Sequence, residues 1–165
     1  MQIPGLAAQA RIDSPLGPLT AAATDKGLAG LWFDGQAHHP GPLDAPVNPR
    51  HPVLARARRE LAAYWKDGGA VFSVPLDLQG TDFQRRVWRA LLKIRPGSTS
   101  SYAVIAGRAG SPAAVRAAGA AIGRNPVSII VPCHRVLGRD GSLTGYAGGL
   151  DRKRSLLTRE GVLKS

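Results

Sequence analysis

One stretch, Asn125-Pro126-Val127-Ser128-Ile129-Ile130-Val131-Pro132-Cys133-His134-Arg135-Val136, contains the only cysteine of the 165-residue chain. The apolar run from Ile129 to Val131 predicts a buried strand or core segment. Pro132 ends that run, because proline cannot donate to a strand ladder. An imidazole and a guanidinium follow the cysteine directly. They predict a lowered pKa for the Cys133 thiol and therefore a reactive side chain.

Two questions stay open on this stretch alone. Neighbouring side chains of an extended strand point to opposite faces. Cys133 and His134 therefore act together only if the chain turns there or a water bridges them. A lone buried cysteine is also more often a small apolar side chain than a nucleophile, so the rest of the chain has to decide.

Length and composition narrow the class of protein. The chain is long enough for one ordinary domain, or for two small domains that share an interface. No stretch reaches the roughly 18 apolar residues of a membrane span, and residues 1–10 lack the basic start and apolar block of a secretory signal. One cysteine excludes an internal disulfide and a cysteine-rich zinc site. A free reactive thiol suits a reducing compartment, so we expect a cytoplasmic protein.

The net charge of +11 is concentrated in one half of the chain. Residues 1–80 carry 7 Lys or Arg and 7 Asp or Glu, whereas residues 81–165 carry 15 and 4. A basic half beside a neutral half indicates that a polyanion such as nucleic acid binds the half that contains Cys133. A solvated, arginine-rich surface is the alternative that charge alone leaves open.

The first half predicts a small sheet with one helix. Apolar runs bounded by turn residues predict strands at residues 7–12, 19–23 and 28–33, joined as an antiparallel meander. Apolar side chains at helical spacing predict a helix at residues 51–66, and residues 71–78 are predicted to be extended. Three histidines lie in or beside a proline-rich loop with no cysteine nearby, a pattern that predicts no metal site. They are His38, His39 and His51.

The second half predicts four helices. Thr81 and Gln84 form a capping box, which starts a helix that runs to about residue 93. Ser111, with Pro112 at the first helical position, predicts the start of another helix. The helix that starts at Ser111 is predicted to end near residue 122. Two further helices are predicted at residues 101–108 and 151–160, and in the second of these Leu156 and Leu157 are predicted to face inward.

The helices predicted at residues 101–108 and 111–122 have the proportions of a helix-turn-helix, since a glycine-containing turn separates them. The second of them is rich in alanine, so it is thin enough to approach a DNA surface closely. Alanine is also simply a good helix former, and composition does not separate these two explanations.

Five blocks of the sequence resemble those of a known family. Pro132-Cys133-His134-Arg135-Val136, preceded by Asn125-Pro126, is similar to the active-site signature of the O6-alkylguanine-DNA alkyltransferases, also called methylated-DNA–protein-cysteine methyltransferases. The resemblance covers residues 78–162 closely and the first 75 loosely, and five blocks in the family's order make chance implausible. The other blocks are Gly80-Thr81-Asp82-Phe83-Gln84 with Val87-Trp88, Ser101-Tyr102, Val115-Arg116-Ala117 with Gly119, and Gly145-Tyr146 with Gly148-Gly149-Leu150.

The resemblance implies an α+β fold of two domains. Residues 1–78 are expected to form a small N-terminal α/β domain of the ribonuclease H type, with an antiparallel sheet. Residues 79–165 are expected to form a mainly helical C-terminal domain, which contains a helix-turn-helix and the acceptor cysteine.

The resemblance also implies the reaction, a single-turnover transfer of an alkyl group from O6 of guanine to the sulfur of Cys133. In the family the histidine after the cysteine takes the thiol proton through a water, and a glutamate in the last helix orients the imidazole. His134 and Glu160 match these two residues. The product is a thioether, which offers water no carbonyl carbon, so the protein is expected to be spent after one transfer. The remaining catalytic matches are Tyr102 as a hydroxyl donor to the guanine, Asn125 as a brace of the active-site loop, and Lys153, which helps to order the cysteine site.

Double-stranded DNA that contains O6-alkylguanine is the implied partner, with no cofactor and no membrane. The damaged base must be flipped out of the duplex, and Arg116 matches the arginine that fills the vacated space from the minor groove. A monomer in solution is expected, with cooperative assembly on DNA and action on O4-alkylthymine left open. The other implied DNA contacts are Ser101, Ala117, Arg124 and Arg135, and the implied pocket residues are Val136, Tyr146, Ala147 and Gly148.

Three alternatives compete with this interpretation. A non-enzymatic binder of alkylated DNA, like the family's alkyltransferase-like branch, would lack the cysteine. A cysteine hydrolase would carry an oxyanion-type motif and a different order of blocks, and a plain helix-turn-helix regulator would not need the Cys, His and Glu set. Ser128 replaces a proline and Ala147 a serine of some relatives, which puts in doubt the size of the alkyl group and not the reaction.

Overall fold

Three antiparallel strands open the fold in the computed structural model, which describes residues 3–164. They are β1 (Leu6–Ile12), β2 (Leu19–Thr24) and β3 (Leu28–Phe33), paired in the order β1-β2-β3. Every residue of β3 is buried, because this strand lies between the rest of the sheet and the second half of the chain. The predicted meander is confirmed.

Helix α1 (Pro52–Lys66) packs against this sheet and matches the predicted range. His51 caps it, with Nδ1 accepting a hydrogen bond from the amide of Val53 at 3.3 Å. Within residues 71–78, which are predicted to be extended, Leu76 forms an isolated bridge with Leu28 of the sheet. The apolar residues at helical spacing form the buried face of α1. They are Val53, Leu54, Ala57, Leu61 and Tyr64.

Helix α2 (Asp82–Leu91) opens the second half, and it starts with the predicted capping box. The hydroxyl of Thr81 accepts from the amide of Gln84 at 3.1 Å, and Oε1 of Gln84 accepts from the amide of Thr81 at 3.0 Å. Both bonds satisfy amides that lack a partner within the helix. The elements that follow are β4 (Ser100–Ser101), α3 (Tyr102–Arg108), α4 (Val115–Gly123), a 3-10 turn (Cys133–Arg135), β5 (Val136–Leu137), which pairs in parallel with β4, and α5 (Leu150–Arg159).

Helix α4 begins three residues later than the sequence predicts. Residues 111–114 form a turn instead, closed by a hydrogen bond from the amide of Ala114 to the carbonyl oxygen of Ser111 at 2.9 Å. The helix then starts at Val115 without a side-chain cap. The prediction that Ser111 caps α4 is wrong, because the fixed φ of Pro112 suits the second position of a turn as well as the first position of a helix.

The apolar run before Pro132 is a buried turn and not a strand. Ile129 has a φ of 72°, a left-handed conformation that strains a β-branched residue. The amide of Ile130 donates to the carbonyl oxygen of Ser128 at 2.8 Å, which closes the turn within the chain itself. All three residues of the run are nevertheless buried in the core, so of the two predicted possibilities, a buried strand or a core segment, the core segment is the one that occurs.

The sheet and the helical half share one hydrophobic core, and the α+β class is confirmed. The amide of Leu31 in β3 donates to the carbonyl oxygen of Pro126 at 2.8 Å, and the amide of Ser128 donates back to Leu31 at 2.9 Å. Trp88 of α2 donates from Nε1 to the carbonyl oxygen of Ala121 at 2.8 Å, which fastens α2 to α4. The sheet therefore positions the segment that carries the cysteine. The division into domains at residues 78–79 stays a prediction.

None of the helices within residues 3–164 combines the length and the apolar character that crossing a membrane requires.

Thr81→Ala is expected to lower the free energy of unfolding by about 1 kcal/mol, because the hydroxyl that caps α2 is lost. Urea unfolding followed by circular dichroism measures the change. Thr99→Ala, at an exposed position before β4, is the matched control and should change the free energy of unfolding by less than about 0.5 kcal/mol. Equal losses in the two variants would contradict the capping role.

Candidate active site

Cys133 is the first residue of the 3-10 turn, and 6% of its surface is exposed. It lines a cavity of about 220 Å³. The turn is closed by the amide of Arg135, which donates to the carbonyl oxygen of Pro132 at 3.0 Å. The chain thus turns at Cys133 and His134, so the alternation of an extended strand does not force these two side chains onto opposite faces.

His134 is fully buried and shares a hydrogen bond with Glu160. Its Nε2 lies 2.7 Å from Oε2 of Glu160. Because a carboxylate can only accept, Nε2 carries the proton of the neutral ring and Nδ1 keeps its lone pair. Nδ1 is buried and has no hydrogen-bond partner within residues 3–164. It is therefore the ring nitrogen that can take up a proton.

Several donors converge on the carboxylate of Glu160, the C-cap of α5, whose side chain is fully buried. Besides His134, the donors are Nε of Arg135 at 2.8 Å, Nη2 of Arg135 at 3.1 Å and the hydroxyl of Tyr64 at 2.6 Å. Burial alone would raise the pKa of Glu160, but the hydrogen bonds from His134 and Arg135 hold it at about 2. Sequence reasoning places Tyr64 only on the apolar face of α1, and no local pattern reveals its polar contact.

Arg135 lies in the interior, which corrects its assignment to the DNA contacts. Its side chain is 6% exposed. Its Nη1 donates to the carbonyl oxygen of Ile94 at 2.6 Å, while Nε and Nη2 donate to Glu160. A buried carboxylate needs a paired cation, and Arg135 fills that need instead of contacting a phosphate.

The lowered pKa predicted for Cys133 is wrong for the resting protein. Burial raises the pKa of the thiol. This effect outweighs the hydrogen bond from Nδ2 of Asn125 to Sγ at 3.1 Å and the positive charge of Lys153, which both lower the pKa. The resting cysteine is therefore a protonated thiol, and a base must take its proton before it can act as a nucleophile.

Asn125 ties the end of α4 to the cysteine turn. It follows the C-cap of that helix directly and is buried. Its Nδ2 also donates to the carbonyl oxygen of Val131 at 2.7 Å, and its Oδ1 accepts from the amide of Val127 at 2.9 Å. One side chain thus contacts the sulfur of Cys133 and holds the backbone on either side of the buried turn.

Lys153 of α5 is fully buried and anchors the loop after the cysteine turn. All three donors of its ammonium group are used within the protein. Burial lowers the pKa of Lys153 to about 8, against the opposing effect of Cys133. The group still carries a positive charge at neutral pH, and that charge favours a thiolate nearby. Nζ donates to the carbonyl oxygens of Val136 at 2.6 Å, Thr144 at 2.7 Å and Gly145 at 3.2 Å.

Three of the residues assigned to the base or its pocket line the cavity with Cys133. They are Tyr102, Tyr146 and Ala147. The hydroxyl of Tyr102 lies 3.2 Å from Oγ1 of Thr144 at the edge of the cavity.

Val136 and Gly148, also assigned to the pocket, do not line the cavity. Val136 is fully buried, and its carbonyl oxygen accepts from Lys153. Gly148 packs behind Tyr146, since a Cβ at this glycine would lie 2.7 Å from the tyrosine ring. Both residues support the wall of the cavity instead of forming its surface.

Ala37 and His38, in the loop after β3, line the cavity from the N-terminal half. The amide of Ala37 donates to the carbonyl oxygen of Ala147 at 2.9 Å, which holds this loop over the site. Sequence reasoning missed both residues, because they carry no motif and reach the site only through the fold. Within residues 3–164 no group of three or more His, Cys, Asp or Glu side chains is placed to hold a metal ion.

Helix α4 joins the cavity to an exposed face. Gly119 lines the cavity, and a Cβ there would lie 3.6 Å from the ring of Tyr102. The outer side of the same helix is exposed and carries small residues and a cation. The residues assigned to DNA lie as follows: Arg116 and Ala117 exposed on α4, Arg124 exposed at its C-cap, and Ser101 half-buried as the N-cap of α3.

Two family models match nearly the whole chain. The model described as the DNA binding domain of 6-O-methylguanine DNA methyltransferase matches residues 82–162, and the model described as its ribonuclease-like domain matches residues 9–78. This chain belongs to the 6-O-methylguanine DNA methyltransferase family. Cys133, His134 and Glu160 all lie within the first of these matches.

Named relatives are similar over most of the chain. The methylated-DNA–protein-cysteine methyltransferase of Mycolicibacterium paratuberculosis is 49% identical over 149 residues, which make up 90% of this chain and 89% of that one. The enzyme of the same name from Methanosarcina barkeri is 46% identical over 150 residues, or 90% and 94% of the two chains. Among solved structures, Mycobacterium tuberculosis OGT in complex with DNA matches with a TM-score of 0.82 and 45% identity, over 94% of each chain.

The free energy of unfolding of this family member is expected to fall as the pH is lowered below 6.5, the ordinary pKa of histidine. Burial lowers the folded-state pKa of His134, so the unfolded chain binds the proton first and stability is lost as the pH falls. Glu160, with a folded-state pKa of about 2 against an ordinary 4.5, adds a second loss at lower pH. Urea unfolding between about pH 7 and pH 2 measures both losses.

His134→Gln is the matched variant, because glutamine keeps a donor for Glu160 but takes up no proton. Its stability should change little between about pH 7 and pH 5. A variant whose pH dependence parallels that of the unaltered protein over this range would contradict the assignment to His134.

Proposed function

We propose that this protein repairs DNA by moving the alkyl group of O6-alkylguanine onto Sγ of Cys133. The observation that carries the proposal is a cysteine that lines a cavity and directly precedes a buried, hydrogen-bonded His134–Glu160 pair. Family membership supports the same assignment, since the relatives described above are methylated-DNA–protein-cysteine methyltransferases.

The reaction begins with removal of the thiol proton. Nδ1 of His134, whose lone pair is free while Nε2 donates to Glu160, takes the proton from Cys133 across a bridging water. The carboxylate of Glu160 stabilises the imidazolium that forms. The donor on Asn125 and the charge of Lys153 stabilise the thiolate.

The thiolate then attacks the alkyl carbon on O6 of the guanine. A sulfur–carbon bond forms while the carbon–oxygen bond breaks, and its electron pair goes to the guanine. The hydroxyl of Tyr102, at the edge of the cavity, donates a hydrogen bond to the negative charge that develops on the base. Cys133 keeps the alkyl group as a thioether that water does not cleave, so each protein molecule acts once.

The target base must leave the duplex to reach the buried sulfur. The exposed face of α4 supports an approach through the minor groove, because Ala117 adds little bulk there and Arg116 extends from the helix to fill the space of the flipped base. The net charge of +11 favours binding to any DNA sequence. Weak sequence readout suits a protein whose target is a lesion in any context.

The proposed partner is double-stranded DNA that contains O6-alkylguanine, bound by the domain at residues 79–165. One protein molecule is sufficient for every step, so we propose a monomer in solution. We place the protein in the cytoplasm, because an unpaired acceptor thiol persists best in a reducing compartment.

An excess of an O6-methylguanine oligonucleotide is expected to transfer one methyl group to each protein molecule and then no more. The reason is that the thioether on Cys133 has no leaving-group chemistry that water can use. Intact-mass spectrometry follows the added methyl, and peptide mapping should find it on the peptide that contains Cys133.

Cys133→Ala is the control for this experiment. It should abolish transfer while still binding DNA, with an affinity that falls as the salt concentration rises. Methylated-base loss that exceeds the amount of protein several-fold would overturn the stoichiometric mechanism and favour a true catalyst.

Arg116→Ala is expected to slow repair of duplex DNA by at least about tenfold, while the reaction with free O6-benzylguanine changes little, because only the duplex reaction needs a flipped base. Single-turnover rates on the two substrates measure the difference. Arg59→Ala removes the same charge from an exposed position on α1 and should affect neither rate. Equal losses of Arg116→Ala on both substrates would contradict the role in base flipping.

A further inference from the structure

We propose that Tyr64, in the N-terminal half, is a positioning residue for alkyl transfer and sets the proton affinity of His134 through Glu160. Its kinetic consequence rests on the proposed function, whereas its geometry rests on hydrogen bonds alone. The hydroxyl of Tyr64 lies 2.6 Å from Oε2 of Glu160, the same oxygen that lies 2.7 Å from Nε2 of His134. One carboxylate oxygen therefore joins a phenol on α1 to the imidazole beside Cys133.

The direction of this hydrogen bond follows from burial. Tyr64 has no exposed surface. Burial and the negative charge of Glu160 raise the pKa of the Tyr64 hydroxyl, so this group stays protonated. A protonated phenol donates and an ionised carboxylate accepts. The hydrogen bond spans 96 positions of sequence, between the parts of the chain matched by the two family models.

Four donors reach the carboxylate of Glu160, and three of them converge on Oε2. These three are the hydroxyl of Tyr64, Nε2 of His134 and Nη2 of Arg135, whereas Nε of Arg135 donates to Oε1. Tyr64 is itself held by edge-on packing against Trp65, with ring centroids 5.1 Å apart. The phenol thereby fixes the orientation of the carboxylate toward the imidazole.

The phenol also acts on the charge of the carboxylate. A donor on Oε2 of Glu160 draws electron density away from the proton on Nε2 of His134, so it disfavours the imidazolium. Removing that donor should make protonation of His134 easier. A substitution at Tyr64 leaves the neighbouring charged side chains in place. They are Arg135 on the 3-10 turn, and Lys153 and Arg159 on α5.

Tyr64→Phe tests the proposal, because it keeps the ring and removes only the donor. In an NMR titration of the histidine side chains, the midpoint of His134 is expected to move to higher pH by about half a unit. The acid limb of the transfer rate should move in the same direction, since His134 must be neutral to accept the thiol proton. Transfer at neutral pH should slow by roughly three- to tenfold through loss of orientation.

Two further variants distinguish an effect of the Tyr64 hydroxyl on the proton affinity of His134 from an effect of side-chain packing. A fluorinated tyrosine in place of Tyr64 is a stronger donor, so it should move the His134 midpoint to lower pH. Leu61→Val, on the same buried face of α1, loosens the packing but keeps the hydroxyl. Its His134 midpoint should not move, even if its unfolding transition does.

An unmoved His134 midpoint in folded Tyr64→Phe would overturn the proposal, and so would shifts of the same sign for the phenylalanine and fluorotyrosine proteins. If Tyr64→Phe does not fold, the fluorotyrosine protein still decides the outcome. The NMR titration requires no transfer. If the two variants show these shifts but the wild-type protein transfers no alkyl group, the result counts against the repair function and not against the role of Tyr64.

Discussion

A buried carboxylate is the constraint on which the rest of this structure depends. The side chain of Glu160 has no exposed surface, and an unpaired charge at such a position would cost several kcal/mol. Its donors come from two distant elements, Tyr64 on α1 and the pair His134 and Arg135 on the 3-10 turn. Because α5 ends at the carboxylate itself, satisfying this one group holds two helices and the cysteine turn in a single arrangement.

Burial also decides the protonation states of Cys133 and His134 before the reaction. It raises the pKa of Cys133 and lowers that of His134, so both are neutral before the reaction. In the proposed mechanism, proton transfer creates a thiolate and an imidazolium together, and each charge is stabilised by a group of opposite sign, Lys153 or Glu160. In this mechanism Cys133 and His134 form an ion pair only during the reaction. The resting protein thereby avoids the desolvation cost of two buried charges.

Local elements of the fold were predictable because their causes lie within a few residues. The meander, α1 and the capping box at Thr81 follow from short-range periodicity and side-chain capping. The start of α4 was not predictable, because Pro112 satisfies a turn and a helix equally well. The buried turn at Ile129 was not predictable either, because its strained backbone is held by contacts with β3 and Asn125.

The sequence by itself determined the basic half and the family resemblance, since both depend on residue identity and order, and the resemblance implied the pairing of His134 with Glu160. Only the tertiary structure decided that Arg135 points inward, that Tyr64 contacts Glu160 and that the thiol of Cys133 is protonated at rest. The physical reason is common to all three. Burial and the choice of hydrogen-bond partner depend on which atoms the folded chain brings together, and those atoms lie as many as 96 positions apart.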